Sequence, residues 1–220
     1  MKKKLIIIGT GLFAEVAKCY FDDFSEYTVT AFACHQKYKS SDTMLGVPIE
    51  SIEQLQDKFS PEEYYIFVAV GYKNMNKLRE AIYKEIKSKG FNFVSFIHPD
   101  IKIWNSTTIG ENVFIFEDNT IQPYTKIGNN TILWSGNHIG HHSQIGENCF
   151  ISSQVVISGS CIIGNNVFIG VNSTLRDNLI IGNETLIGAG AIIMRNTKEK
   201  EVYIPSATKV FPKPSDRVRF

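Results

Sequence analysis

One spacing of aliphatic residues organises the second half of the chain. From residue 97 every sixth residue is Ile or Leu, and this register runs unbroken through seventeen positions to residue 193. The fourth residue after each aliphatic is mostly small, as in Thr125, Ser143 and Cys161. A short fixed period indicates a solenoid, and β-branched residues with frequent Asn and Gly favour strands. The spacing therefore predicts a parallel β-helix, with corners expected at the glycine that commonly follows the aliphatic residue.

The first 96 residues follow another pattern, in which apolar runs alternate with amphipathic ones. Strands are predicted at the start of the chain and over 27–34, 64–71 and 91–96. Helices are predicted after the first strand, from the N-cap residue Ser51, and over 76–89 before Gly90. This alternation predicts a small parallel α/β sheet. The expected domains are therefore 1–96, a β-helix over 97–207 and a C-terminal tail over 208–220.

Composition narrows the range of functions. The chain has 220 residues and a formal net charge of +1, so neither nucleic acid nor an anionic membrane is expected as its partner. It lacks a run of about 18 apolar residues, so no membrane span is expected. Its four cysteines form no C-x-x-C pair and are interpreted as reduced, which favours a cytoplasmic protein.

The turn after the first predicted strand reads Gly9-Thr10-Gly11-Leu12-Phe13-Ala14. A G-x-G-x-x-A pattern between a strand and a helix is typical of dinucleotide sites, where the helix N-terminus receives phosphate. An NAD site, however, places Asp or Glu at the end of the second strand, and here that end reads Ala33-Cys34-His35-Gln36. We therefore expect a nucleoside diphosphate and no NAD. The alternative is that the glycines only allow close packing of strand on helix.

A small α/β domain followed directly by a β-helix resembles the hexapeptide-repeat sugar acyltransferases of the NeuD/PglD type. The resemblance spans nearly the whole chain and implies a left-handed β-helix with 18 residues per triangular coil. It also implies a homotrimer with coenzyme A between neighbouring β-helices. The implied reaction is acetyl transfer from acetyl-CoA to a nucleotide-linked amino sugar, a 4-amino-4,6-dideoxy sugar, for bacterial surface glycans such as the lipopolysaccharide O-antigen. No metal is expected.

Three of the five histidines, His138, His141 and His142, lie within five residues. In the family a histidine at this I-x-H position is the general base, and the resemblance carries that role to His141. The residue one coil further on is Gly159, which leaves room for an acyl thioester beside the imidazole. Imidazole exchanges protons near neutral pH and therefore suits removal of a proton from the attacking amine.

The resemblance implies further contacts. The coenzyme is expected at Gly159, Val171 and Ala189, and His138 and His142 are expected to contact substrate. The nucleotide is expected against Gly9, Gly11, Phe13, Ala14, His35 and Gly71. Some relatives have glutamate directly after the base, where this chain has His142, so Asn137 or a neighbouring subunit is expected to orient His141. Trp134 is expected at the trimer interface, or alternatively in the wall of the acceptor pocket.

Other functions remain open on the sequence. The acceptor group can be a sugar hydroxyl, because the same base would serve that reaction. Three clustered histidines also suit zinc, as in β-helix carbonic anhydrases. Adjacent His141 and His142 should nevertheless point in different directions on a coil, and a zinc lyase would leave the first domain without a purpose. A non-catalytic scaffold would leave the pairing of His141 with Gly159 unexplained.

Overall fold

The computed structural model describes residues 2–210, 212, 213 and 217, so the predicted tail 208–220 lies partly outside the described residues. The N-terminal domain is a six-stranded sheet of order β3-β4-β2-β1-β5-β6, parallel except for β3. Its strands are β1 (Lys3–Ile8), β2 (Tyr27–Cys34), β3 (Thr43–Met44), β4 (Val47–Ser51), β5 (Tyr64–Val68) and β6 (Asn92–Phe93). Its helices are α1 (Leu12–Phe24), α2 (Leu55–Lys58) and α3 (Lys77–Ser88), with 3-10 turns at Gln36–Tyr38 and Ile52–Gln54.

This domain differs from the sequence-based prediction at one hairpin, β3–β4, and at the predicted strand over 91–96. β3 and β4 pair antiparallel around Leu45 and Gly46, which both have positive φ, as a two-residue hairpin turn requires. The predicted strand over 91–96 divides between two sheets. β6 joins the N-terminal sheet, whereas Phe96–Ile97 pairs with Phe114–Ile115 and begins the β-helix.

The second domain is a left-handed parallel β-helix with three faces. Face A holds β7 (Phe96–Ile97), β9 (Phe114–Ile115), β12 (Ile132–Leu133), β15 (Phe150–Ile151), β18 (Phe168–Ile169), β21 (Leu186–Ile187) and β23 (Val202–Tyr203). Face B holds β10 (Thr120–Ile121), β13 (His138–Ile139), β16 (Val156–Ile157), β19 (Thr174–Leu175) and β22 (Ile192–Ile193). Face C holds β8 (Thr108–Ile109), β11 (Lys126–Ile127), β14 (Gln144–Ile145), β17 (Ile162–Ile163) and β20 (Ile180–Ile181).

The interior of the β-helix confirms the six-residue period. Strands pair with the residue 18 positions further on, as Ile139 does with Ile157, and the aliphatic residues form one buried column. The small residues, Ser143 and Cys161 among them, are buried beside that column.

The corners differ from the expectation. The left-handed residue is the third after the aliphatic, as at Asn130, His142 and Asn148, and not the glycine that follows the aliphatic directly. That glycine is needed because the next coil lies so close. A Cβ on Gly128 would stand 2.6 Å from the backbone carbon of Gly146.

An aromatic seam joins the two domains. Phe13 and Phe21 of α1 pack on Phe114 of face A, and Trp134 stacks on Phe116 with 4.3 Å between ring centroids. Trp134 therefore packs in the seam within one chain, and its expected place at a trimer interface stays a prediction.

Arg79 of α3 also joins the N-terminal domain to the β-helix through hydrogen bonds. It is fully buried, and its guanidinium donates to the carbonyls of Asn130, Asn148 and Cys149 of the β-helix at 2.9–3.1 Å. It also donates to the carbonyl of Gly71 at 3.0 Å. Burial lowers the pKa of Arg79 to about 9, so the side chain is still charged at neutral pH.

The four cysteines are all free thiols. Among the described residues, no helix is both long and apolar enough to cross a bilayer.

Candidate active site

His141 lies at the corner between face B and face C, two residues after the end of β13. Its ring is exposed, and its backbone amide donates to Oε1 of Gln122 at 2.8 Å. The β-helix places Gly159 one coil above it, as the 18-residue period predicts. A Cβ built on Gly159 would stand 2.8 Å from both Cε1 and Nε2 of His141. The space beside this edge of the ring therefore exists only because residue 159 is glycine.

The amide of Gly159 is available to a ligand. At the neighbouring corner, the backbone amides of Glu147 and Asn165 donate to the side-chain oxygens of Asn165 and Asn183, each one coil further on. The residue one coil above Gly159 is Asp177, whose carboxylate instead accepts from the side chain of Asn178. Within the described residues the amide of Gly159 has no hydrogen-bond acceptor. An uncommitted amide donor close to an imidazole can stabilise a developing oxyanion.

His142 is the group that contacts the ring of His141. The two Nδ1 atoms lie 3.0 Å apart, and the two rings meet edge to face. His142 occupies the left-handed corner position with φ 59° and stacks on Tyr124, 4.6 Å between centroids. One Nδ1 must carry a proton and the other a lone pair for this contact to be a hydrogen bond.

The other two residues expected near His141 lie apart from its ring. Asn137 is buried inside the coil, where its side chain donates to the carbonyl of Trp134 and accepts from the amide of Val155. It therefore does not orient His141, which corrects that expectation. His138 lies in β13 on the outer surface of face B, half-buried between Thr120 and Val156.

A cavity of about 270 Å³ opens at the carboxyl edge of the N-terminal sheet. We call it the nucleotide cavity. It is lined by Ile8, Gly9, Thr10, Ala33, Cys34, His35, Tyr38, Ile52, Val70, Lys73, Leu78 and Ile82. Ligands of open parallel sheets bind at this edge. The sequence identified Gly9 and His35 in the lining but missed Tyr38 and Lys73. Lys73 follows the end of β5, where the same edge rule could have found it.

The glycine-rich turn has the form that a phosphate site needs. Gly9 has φ 132°, and a Cβ on it would stand 2.6 Å from the carbonyl oxygen of Ala69, so only glycine fits. The amides of Leu12 and Phe13 at the start of α1 have no backbone acceptor among the described residues. The Phe13 ring packs into the seam and the Ala14 side chain is buried, so the expected contact at Ala14 can involve backbone only.

A carboxylate does lie at the end of β2, where an NAD site would have one, but it comes from Glu53 in the 3-10 turn Ile52–Gln54. Glu53 lies 3.1 Å from Nδ1 of His35 and accepts from the amide of Gln36 at 3.1 Å. The hydrogen bond from Ser51 lowers the pKa of Glu53 to about 2. Nε2 of His35 lies 3.2 Å from Glu85. The carboxylate of Glu53 is therefore engaged with protein groups.

A second cavity, of about 250 Å³, lies at the corner between face A and face B. We call it the aromatic cavity, and it is lined by Tyr72, Trp134, Phe150, Ser152, Ser153 and Val171. Val171, an expected coenzyme contact, is exposed here. Ala189 lies exposed one coil above Val171 at the same corner. The expected contact Gly71 has open space around its Cα, since a Cβ there would meet nothing within 4 Å.

No group of three His, Cys, Asp or Glu side chains converges as a metal site in the part of the chain that the structure describes.

Two family models match separate parts of the chain. The PglD N-terminal domain family matches residues 4–86. The bacterial transferase hexapeptide family matches residues 124–159 and 160–195. The chain belongs to the hexapeptide-repeat sugar acyltransferases of the NeuD/PglD type. A search of curated proteins found no match to this acyltransferase.

Solved structures share the acyltransferase's fold over most of its length. PerB from Caulobacter crescentus, in complex with CoA and GDP-perosamine, is 25% identical with a TM-score of 0.80, over 90% of this chain and 92% of that one. The acetyltransferase domain of PglB from Neisseria gonorrhoeae, in complex with acetyl coenzyme A, is 23% identical with a TM-score of 0.80, over 92% and 96%. WeeI from Acinetobacter baumannii is 17% identical with a TM-score of 0.77, over 91% and 96%. The last two likenesses concern the fold alone.

Proposed function

We propose that the protein transfers the acetyl group of acetyl-CoA to the amino group of a nucleotide-linked 4-amino-4,6-dideoxy sugar, with His141 as general base. The observation that carries the proposal is the open space and free amide of Gly159 against the Cε1–Nε2 edge of His141. The similar PerB structure binds CoA and GDP-perosamine, and that enzyme has also been solved with a histidine replaced by asparagine or alanine. The free thiols fit a cytoplasmic reaction.

The chemistry follows from the ring contacts. If Nδ1 of His141 donates to Nδ1 of His142, then Nε2 of His141 holds a lone pair beside Gly159. The amine attacks the thioester carbon, and its proton passes to Nε2. The amide of Gly159 stabilises the oxyanion while the carbon–nitrogen bond forms. The carbon–sulfur bond then breaks, and the proton returns to the leaving thiolate.

The positions of the nucleotide cavity and His141 favour a site shared with a second copy of the chain. The N-terminal domain covers face A, whereas His141 lies at the corner between faces B and C, opposite face A in a triangular coil. The nucleotide cavity and His141 of one chain therefore lie on opposite sides of the β-helix. We propose a homotrimer in which the His141 corner of one chain meets the face A–face B corner of the next, where Val171 and Ala189 contact the coenzyme.

A thiol-release assay tests the reaction. Acetyl-CoA is incubated with UDP-, dTDP- and GDP-linked 4-amino-4,6-dideoxy sugars and with their 4-hydroxy analogues. We expect release with one amino sugar and none with its hydroxy analogue. His141→Ala should lower kcat by about 10²- to 10⁴-fold with the trimer retained. Release only with a hydroxy analogue would reassign the acceptor, and near-normal turnover of His141→Ala would remove it as the base.

Mixed trimers test the shared site. His141→Ala and Lys73→Glu chains, each inactive in isolation, are unfolded together, refolded and assayed. If each site draws its base and its nucleotide cavity from different chains, about a quarter of the sites should regain both intact parts. No recovery, in mixed trimers verified by mass spectrometry, would place the whole site in one chain.

A further inference from the structure

We infer that the aromatic cavity is the subsite for the pyranose ring of the acceptor, with Tyr72 as its stacking platform and Ser152 and Ser153 as its hydroxyl partners. This inference rests on the proposed function and assigns its sugar specificity to named residues.

The cavity has the chemistry that a sugar ring requires. A pyranose presents an apolar face of C–H groups and a rim of hydroxyls, so its sites pair aromatic faces with hydrogen-bonding side chains. Tyr72 is 56% exposed, and its ring is held from one side by Phe150 and Phe168, each 4.9 Å between centroids. The hydroxyls of Ser152 and Ser153 make no hydrogen bond to any residue within 2–210. The wall thus offers an aromatic face beside two uncommitted hydroxyls.

The aromatic cavity also lies where the sugar of a nucleotide sugar bound in the nucleotide cavity would reach. The loop between β5 and α3 places Lys73 in the nucleotide cavity and Tyr72 in the aromatic cavity. Lys73 and Tyr72 are neighbours in the chain, and consecutive Cα atoms are about 3.8 Å apart, so the two cavities approach each other at this loop. A nucleoside bound in the first cavity, with its diphosphate at the α1 amides and Lys73, would project its sugar past this loop. Val171, which also lines this cavity, is the expected coenzyme contact, so donor and acceptor would meet there.

The loop is built to hold Tyr72 in place. Asn74, Met75 and Asn76 are three consecutive left-handed residues, with φ of 54°, 50° and 64°. L-residues adopt this conformation singly, and such strain persists where the surroundings impose it. Asn76 is fully buried and donates to the carbonyl of Val167 at 3.3 Å, and Arg79 binds the carbonyl of Gly71. The β-helix thus holds one end of this turn directly, and Arg79 of α3, which is itself bound to the β-helix, holds the other.

Binding measurements on the full-length protein separate the sugar from the nucleotide. The probes are UDP, dTDP and GDP and their 4-amino-4,6-dideoxyhexose conjugates, and the quantity is the ratio of the Kd of the bare nucleotide to that of the conjugate. Tyr72→Leu should lower this ratio about tenfold and leave the Kd of the bare nucleotide within about twofold. Ser153→Ala should lower it about fivefold. Tyr38→Leu, in the nucleotide cavity, is the matched control and should weaken both probes alike.

The outcomes are distinct. An unchanged ratio in Tyr72→Leu and Ser153→Ala, with a wild type that prefers the conjugate, would overturn the inference and leave the proposed function intact. A raised KM for acetyl-CoA at an unchanged ratio would also overturn it and assign the cavity to the coenzyme. If Tyr72→Leu disturbs the loop and weakens bare nucleotide too, Ser153→Ala alone decides. A wild type that binds none of the probes would refute the proposed function itself.

Discussion

Replacing Gly159 by alanine tests the geometry of the base directly. The added Cβ would stand 2.8 Å from Cε1 and Nε2 of His141, whereas ordinary contact begins at 3.4 Å, so the ring must retreat by about 0.6 Å. The corner itself tolerates a side chain, because Asp177 occupies the same position one coil on. Because the His141 ring is exposed and can swing away, the free energy of unfolding should change by less than about 1 kcal/mol. The displaced imidazole of His141, together with a methyl group in the space proposed for the acyl group, should lower kcat/KM by about 10²-fold.

The assay is thiol release for kcat/KM, with urea unfolding for stability. Glu147→Ala, at the equivalent position of the next corner, is the control and should change neither quantity appreciably. In a His141→Ala background, Gly159→Ala should add little further loss, because the ring that it displaces is gone. Retention of more than about a third of wild-type kcat/KM in Gly159→Ala would refute the reasoning. An equal further loss in the double variant would show that the glycine acts independently of His141.

Four further predictions concern the domain joint, the coil spacing and the nucleotide cavity. Arg79→Met should destabilise the protein by about 3–5 kcal/mol in urea unfolding, because several buried carbonyls lose their charged donor; a loss below about 1 kcal/mol would contradict this. Gly128→Ala should cost about 1–3 kcal/mol in the same experiment, since its Cβ meets backbone of the next coil, and an unchanged midpoint would contradict the packing. Lys73→Met should raise the KM for nucleotide sugar and weaken its salt dependence, whereas Lys77→Met, which removes the ion pair to Glu184, should do neither. The pKa of Glu53 lies near 2 in the folded protein, below its ordinary 4.5, so the ionised carboxylate stabilises the fold above pH 4.5 and this stabilisation is lost toward pH 2. The Tm difference between wild type and Glu53→Gln should therefore shrink as the pH falls through that window. A constant Tm difference would contradict this prediction.

The β-helix could be predicted from the sequence because its code is local and repeated. Each aliphatic residue points inward because of its place in a six-residue period, and the same pattern of inward and outward residues recurs in every coil. The same register placed Gly159 beside His141, since 18 residues make one coil. The turn from Gly9 to Ala14 was equally readable, because a tight strand-to-helix turn depends on neighbouring residues.

The tertiary structure decided everything that depends on groups distant in sequence. It brought Arg79 to three carbonyls of the β-helix and Glu53 to the end of β2, and no local pattern encodes either contact. It packed Trp134 into the aromatic seam, because the aromatic face of α1 covers face A. It set the Nδ1 atom of His142 against that of His141, because the left-handed corner turns the second ring back toward the first. The period determines which residues face inward, whereas the docking of one domain on the other determines which outward residues share a cavity.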